Sequence, residues 1–83
     1  MPKYEKKKIF VHAEQYDGSD ESIEKIKTLT STNVQVSKQS VLSIESSEGN
    51  KIAYIGDFII RDSYQNIFVC DAKVFLALYE LSV

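Results

Sequence analysis

Residues 52–60 read Ile52-Ala53-Tyr54-Ile55-Gly56-Asp57-Phe58-Ile59-Ile60. Two apolar runs meet at a Gly-Asp pair, and both are rich in β-branched and aromatic side chains, which fit a pleated surface. A glycine inside such a pattern marks a bulge or a sharp bend. The stretch therefore predicts one strand over residues 51–55, a bend at Gly56-Asp57, and a second strand over residues 58–61. The second run is nearly apolar on both faces, which predicts a central strand. Asp57 can accept hydrogen bonds from backbone N–H groups exposed at the bend. Phe58 is expected to pack against Phe75 or Tyr79.

Working outward toward the C-terminus, Asp62-Ser63-Tyr64-Gln65-Asn66 is a turn cluster. Residues 67–70 return as a strand, and Asp71 caps a last helical segment. Phe75 and Tyr79 lie four apart with Leu78 beside them, so one face of that helix is apolar. Leu81 and Val83 add an extended piece. Toward the N-terminus, Glu48-Gly49-Asn50 forms a hairpin turn, with Gly49 free to adopt positive φ. It joins residues 51–55 to a strand over 41–46, in which Leu42 and Ile44 share a face. A brief strand over 34–37 precedes it, with Val34 and Val36 on one face.

A helix starts at Ser19 or Asp20, with acidic residues in its first turn and Ile23, Ile26 and Leu29 as a narrow apolar stripe. Thr28, Thr30, Ser31, Thr32 and Asn33 are expected to dissolve it. The first strand spans residues 9–16, with Ile9, Val11 and Ala13 on one face and Phe10, His12, Glu14 and Tyr16 on the other. Asp17-Gly18-Ser19-Asp20 ends it. The order predicts an α+β fold: a small, mainly antiparallel sheet built from hairpins, one helix after the first strand, and a short C-terminal helix, with the helices on one face. Residues 1–83 are expected to form a single domain, with 1–7 as a flexible arm because its lysines repel one another and bury little.

The 83 residues are 43% hydrophobic and 27% charged, an ordinary globular composition. One Cys excludes an intramolecular disulfide, and one Cys with one His is too few ligands for the common structural zinc sites. No apolar run approaches the ~20 residues of a membrane span. Ile9-Phe10-Val11 falls short of the ~7–15 apolar residues of a secretion signal, so a cytoplasmic protein is expected. The net charge of −2 disfavours nucleic acid as the main partner, since phosphate binding draws on clustered Lys and Arg. Lys3, Lys6, Lys7 and Lys8 form one such cluster at the start, with Tyr4 beside it. The ordinary role of this cluster is solvated charge.

Candidate chemistry is sparse. His12 and Glu14 alternate on one strand face, but two ligands do not make a metal site. Cys70 lies next to Asp71 at a helix start, where a thiolate would be favoured. With no catalytic partner apart from the distant His12, it reads as a small buried hydrophobe, slow to react with thiol reagents. Asp57, Asp62 and Asp71 each adjoin a strand, and together they could hold Mg²⁺ or Ca²⁺. Each also has a turn or capping role that accounts for it. Gly18, Gly49 and Gly56 are far apart, so no phosphate-cradling loop is formed.

The chain resembles a group of small phage and prophage proteins. Their pattern begins with Lys-Tyr and further basic residues leading into a strand that ends Ala-x-Gln-aromatic. Here it reads Lys3-Tyr4, Lys6-Lys7-Lys8, Ile9-Phe10-Val11 and Ala13-Glu14-Gln15-Tyr16. The pattern continues with Gly-Asp-Trp-Ile-Ile, here Gly56-Asp57-Phe58-Ile59-Ile60. It closes with a Cys, a Phe five residues later and a Tyr-Glu four residues after that, matched by Cys70, Phe75, Tyr79 and Glu80. The resemblance spans the chain except residues 28–50. It departs at Phe58 in place of Trp, in the absence of a Gly after the Ile-Ile pair, and at Asp71-Ala72-Lys73 in place of Lys-Pro-Asp. It implies a phage or prophage origin and brings no catalytic residue with it.

Gly56, Asp57, Phe58, Cys70, Phe75 and Tyr79 are residue types that build a core and a bend. The expectation is a non-enzymatic module without cofactor or metal, acting in a bacterial cell on another protein or on a second copy of itself. Sheet edges left open by so small a fold would serve that pairing. The alternative is nucleic-acid binding through Lys3, Lys6, Lys7 and Lys8 with Tyr4 and Tyr64. A small metal-dependent enzyme ranks last.

Overall fold

The computed structural model describes residues 1–4 and 10–81. In chain order it has β1 (His12–Gln15), α1 (Asp20–Thr30), β2 (Val34–Val36), β3 (Leu42–Ile44), β4 (Lys51–Ala53), β5 (Phe58–Arg61), β6 (Ile67–Cys70) and α2 (Ala72–Leu78). The class is α+β, with a helix after the first strand and a short C-terminal helix. The strands divide between two antiparallel three-stranded sheets, β1-β5-β6 and β2-β3-β4. The arm expected over residues 1–7 falls partly outside the described residues, as does residue 9 of the strand expected over 9–16; the described strand begins only at His12 and ends at Gln15.

The division into two sheets arises at Gly56. Asp57 donates its N–H to the Tyr54 carbonyl at 3.0 Å, closing a turn whose third residue is Gly56 at φ 102°. Tyr16 donates to the Asp57 carbonyl at 2.9 Å and accepts the Gly56 N–H at 2.7 Å. Gly56 and Asp57 thus oppose the single residue Tyr16, a bulge whose first position requires the positive φ that glycine adopts freely. The Asp57 carboxylate accepts the Tyr54 N–H at 2.9 Å. The chain leaves β4 in one sheet and enters β5, the centre of the other.

The main core lies between α1, the inner face of β2-β3-β4 and one face of β1-β5-β6. Tyr16, Ile26, Leu42, Ile44, Ala53, Ile59 and Ile67 form it, with Ile23, Leu29, Val34 and Val69 packed against it. Leu42 and Ala53 are cross-strand partners and Ile44 lies two residues on, so Leu42, Ile44 and Ala53 share one face of β3-β4, with Lys51 opposite Ile44 at its end. Phe58 precedes Ile59 and therefore points to the opposite face, where it meets Phe75 of α2. The two helices consequently cover opposite faces of β1-β5-β6, and not one face as the sequence suggested. The physical cause is β5 itself: apolar on both faces, it needs cover on both.

Two further expectations differ from the structure. Tyr16, assigned with His12 and Glu14 to the more polar strand face, has no exposure at all. It follows the last residue of β1, under α1 and the second sheet, and its hydroxyl donates to the Ser40 carbonyl at 2.8 Å. Helix α1 also runs through Thr28 and Thr30 instead of dissolving there. Thr28 returns its hydroxyl to the Glu24 carbonyl at 3.1 Å, and Thr30 is buried along the line Ser22, Ile26, Thr30. The stop is Ser31, in the left-handed region at φ 54°, with its N–H on the Lys27 carbonyl.

The start of α1 is tied by side chains. Ser19 caps it by accepting the Ser22 N–H at 3.1 Å. Asp17 in turn accepts the Ser19 N–H at 2.9 Å and the Ser19 hydroxyl at 2.5 Å. These bonds, the Ser19 hydroxyl first, lower the Asp17 carboxyl from 3.8 to about 2. At Asp62, partial desolvation works upward, but bonds from the Asn66 backbone and amide and from the Tyr64 N–H outweigh it and hold the carboxyl below its ordinary value. A depressed carboxyl pKa means the unfolded chain binds protons more readily than the folded one. Its stabilisation is complete above the unfolded value and is lost as pH falls through the folded value. Stability should therefore decline between about pH 4 and about pH 2. Thermal unfolding of Asp17→Asn across that window should show a shallower decline than wild type.

Candidate interaction groove

Helix α2 is held by few contacts. Asp71 caps it by accepting the Lys73 N–H at 2.8 Å. Its one buried residue is Phe75. The Phe75 ring meets Phe58 edge-on, with centroids 4.0 Å apart and planes at 68°. Tyr79, one turn on, packs on Phe75 at 5.0 Å and 81°. Such edge-to-face pairs set the positive rim of one ring against the negative face of the next. This ladder props α2 over the Phe58 face of β5 and leaves a groove between the helix and β1.

The groove measures about 630 Å³ and is lined by Phe10, Val11, His12 and Ala13 on one side and Phe75, Leu76, Tyr79, Glu80 and Leu81 on the other, with Phe58 as its floor. Its rim is apolar and open to solvent: Phe10 is 65% exposed, Leu76 69% and Leu81 91%. Scattered apolar side chains are normal on a surface, whereas several around one concavity mark a place where another apolar group fits. On the other side of β1, Glu14, Glu24, Lys25 and Thr28 line a smaller, charged depression.

Of the residues singled out in the sequence, Phe58, Phe75 and Tyr79 come together as the aromatic ladder. Gly56 and Asp57 form the bulge at the end of β5. Lys3 and Tyr4 are exposed, and Tyr64 stands 83% exposed in the β5–β6 turn. Lys6, Lys7 and Lys8 lie outside the described residues. Cys70 is half-buried, not buried as expected, because it sits on an edge strand beside a helix that covers it incompletely. The register separates the three aspartates. Asp57 and Asp71 adjoin the paired residues Phe58 and Cys70 at one end of the sheet, while Asp62 follows Arg61 at the other. Among the described residues no group of three His, Cys, Asp or Glu side chains is placed to hold a metal ion. None of the described helices is long and apolar enough to cross a membrane.

Leu76 was not named in the sequence, Val11, Ala13 and Leu81 entered only as strand or extended residues, and Leu78, expected beside Phe75 on an apolar packing face, is 70% exposed. The missed signal lies in residues 74–79, Val74-Phe75-Leu76-Ala77-Leu78-Tyr79, which are apolar around the whole helix. A helix of that kind is ordinarily enclosed. Here it is laid on the surface by a single buried ring.

No known protein family, curated protein or solved structure matches the chain.

Proposed function

We propose that the chain is a non-enzymatic protein-interaction module that docks a partner in the groove between β1 and α2. The observation that carries this reading is the apolar rim of Phe10, Leu76 and Leu81 around a cavity of about 630 Å³. Each apolar Å² removed from water there contributes ~25 cal/mol, and a partner side chain seated in the groove gains most where water is fully excluded. The resemblance to phage and prophage proteins supports a setting in the cytoplasm of a phage-carrying bacterium.

The test is a double variant, Leu76→Asp with Leu81→Asp. Both residues are exposed, so the fold should melt as wild type does, while charge at the rim should abolish docking. Wild type and variant are compared by quantitative capture from a bacterial lysate and by light scattering of the purified chain. The reading requires an association, with another protein or with itself, that the variant loses. An association that survives the double variant, or none at all, overturns it.

A further inference from the structure

Strand β1 ends its sheet, and among the described residues it pairs with β5 alone. The other edge strand of this sheet, β6, packs beside β4; β1 packs against α1 on the face that carries Glu14, and its outer edge has no strand partner among the described residues. Tyr16 turns its backbone N–H and C=O onto Asp57 and Gly56. Alternation along the strand then directs those of Glu14 toward β5 and those of Ala13 and Gln15 outward, away from the sheet. Residues 12–15, His12-Ala13-Glu14-Gln15, include no Pro or Lys, the usual devices that keep an open edge from pairing.

We infer that this edge pairs antiparallel with the same edge of a second copy, about a two-fold axis at Ala13, so that two sheets become one. The inference rests on the interaction reading above and names the partner. A two-fold axis normal to the sheet keeps each face continuous, so a residue can oppose only residues of its own face. Centring on Glu14 would set two carboxylates against each other, and centring on His12 would gather two imidazoles beside two Arg61 side chains. Centring on Ala13 sets His12 opposite Glu14 of the second copy, twice. Arg61, the cross-strand partner of His12 on β5, places a cation on the same face. The outward backbone groups then match: Ala13 exchanges hydrogen bonds with Ala13 of the second copy, and Val11 with Gln15. His12 and Glu14 fall at the non-hydrogen-bonded position, where cross-strand side chains approach most closely. On its β1 side the groove is rimmed by the exposed Phe10 and lined by Ala13, so it borders the same strand.

Sedimentation and light scattering of the purified chain from about 10 µM to about 1 mM should show a concentration-dependent dimer. Ala13→Pro removes an N–H that β5 does not use, so it should yield a monomer with nearly unchanged melting. Glu14→Lys should raise the dimer dissociation constant ~10-fold or more, and adding His12→Glu should restore it, since the pair is then reversed and complementary again. If Ala13→Pro fails to fold, the charge reversal decides. A wild type that stays monomeric throughout, or a dimer indifferent to both Ala13→Pro and Glu14→Lys, overturns the inference. A monomeric wild type whose lysate partner is still lost by Leu76→Asp with Leu81→Asp overturns the dimer and leaves the groove reading intact; loss of both observations overturns both.

Discussion

Replacing Tyr16 with Ala should destabilise the fold by ~3–5 kcal/mol, the cost of emptying an aromatic site in a packed core. Tyr16 has no exposure and is among the largest fully buried side chains. It belongs to a core shared by α1 and both sheets, so its removal undermines α1 and both sheets at once. A domain of this size has only ~5–15 kcal/mol of stability to lose, and a deficit of this order leaves it partly unfolded at ordinary temperature. Tyr16→Phe separates packing from polarity. It keeps the ring and deprives the Ser40 carbonyl of its donor, for ~1 kcal/mol. Denaturant unfolding followed by circular dichroism checks both. An Ala variant that melts with wild type would show that the ring does not hold the two sheets together.

The second large effect is expected at Phe58. Phe58→Ala should cost ~2–3 kcal/mol, below the full range for a buried Phe because the ring is half-buried. The loss is local in character. Phe75 is the one buried residue of α2 and meets Phe58 edge-on, so the helix loses its anchor while the main core on the opposite face remains. Limited proteolysis should cut within residues 72–78 before the rest of the chain. Asp57→Asn, one residue away, should cost far less, since an amide oxygen still accepts the Tyr54 N–H. If Phe58→Ala left α2 as protected as in wild type, the aromatic ladder would not be what holds it.

Features set by a few neighbouring residues were legible in the sequence. Ser19 and Asp71 cap their helices through bonds two or three residues long, and Gly49 and Gly56 sit where the backbone needs positive φ. The four-residue spacing of Phe75 and Tyr79 was enough to place them together. What could not be read depended on distant elements. Tyr16 follows a strand of alternating character and looks half-exposed until α1 and the second sheet close over it. Thr28 and Thr30 disfavour a helix in isolation, yet one bonds its own backbone and the other is enclosed by tertiary packing. The open groove was hidden for the opposite reason: residues 74–79 resemble an enclosed helix, and nothing local shows that only Phe75 is covered.

The pairing of β1 with β5 also bears on how the chain reaches this state. The β2–β3, β3–β4 and β5–β6 pairs join neighbours in sequence, whereas β1 meets β5 only after α1 and the whole second sheet have intervened. Loop-closure entropy grows with the length enclosed, so the short hairpins close first and β1 docks late. Until it does, β5 offers an empty edge and β1 is unattached. The β1 of one molecule can then occupy the β5 of another in the register it would take at home, which is strand exchange between chains. Refolding at high protein concentration therefore sets two intermolecular routes against one intramolecular one, and dilution selects the native closure.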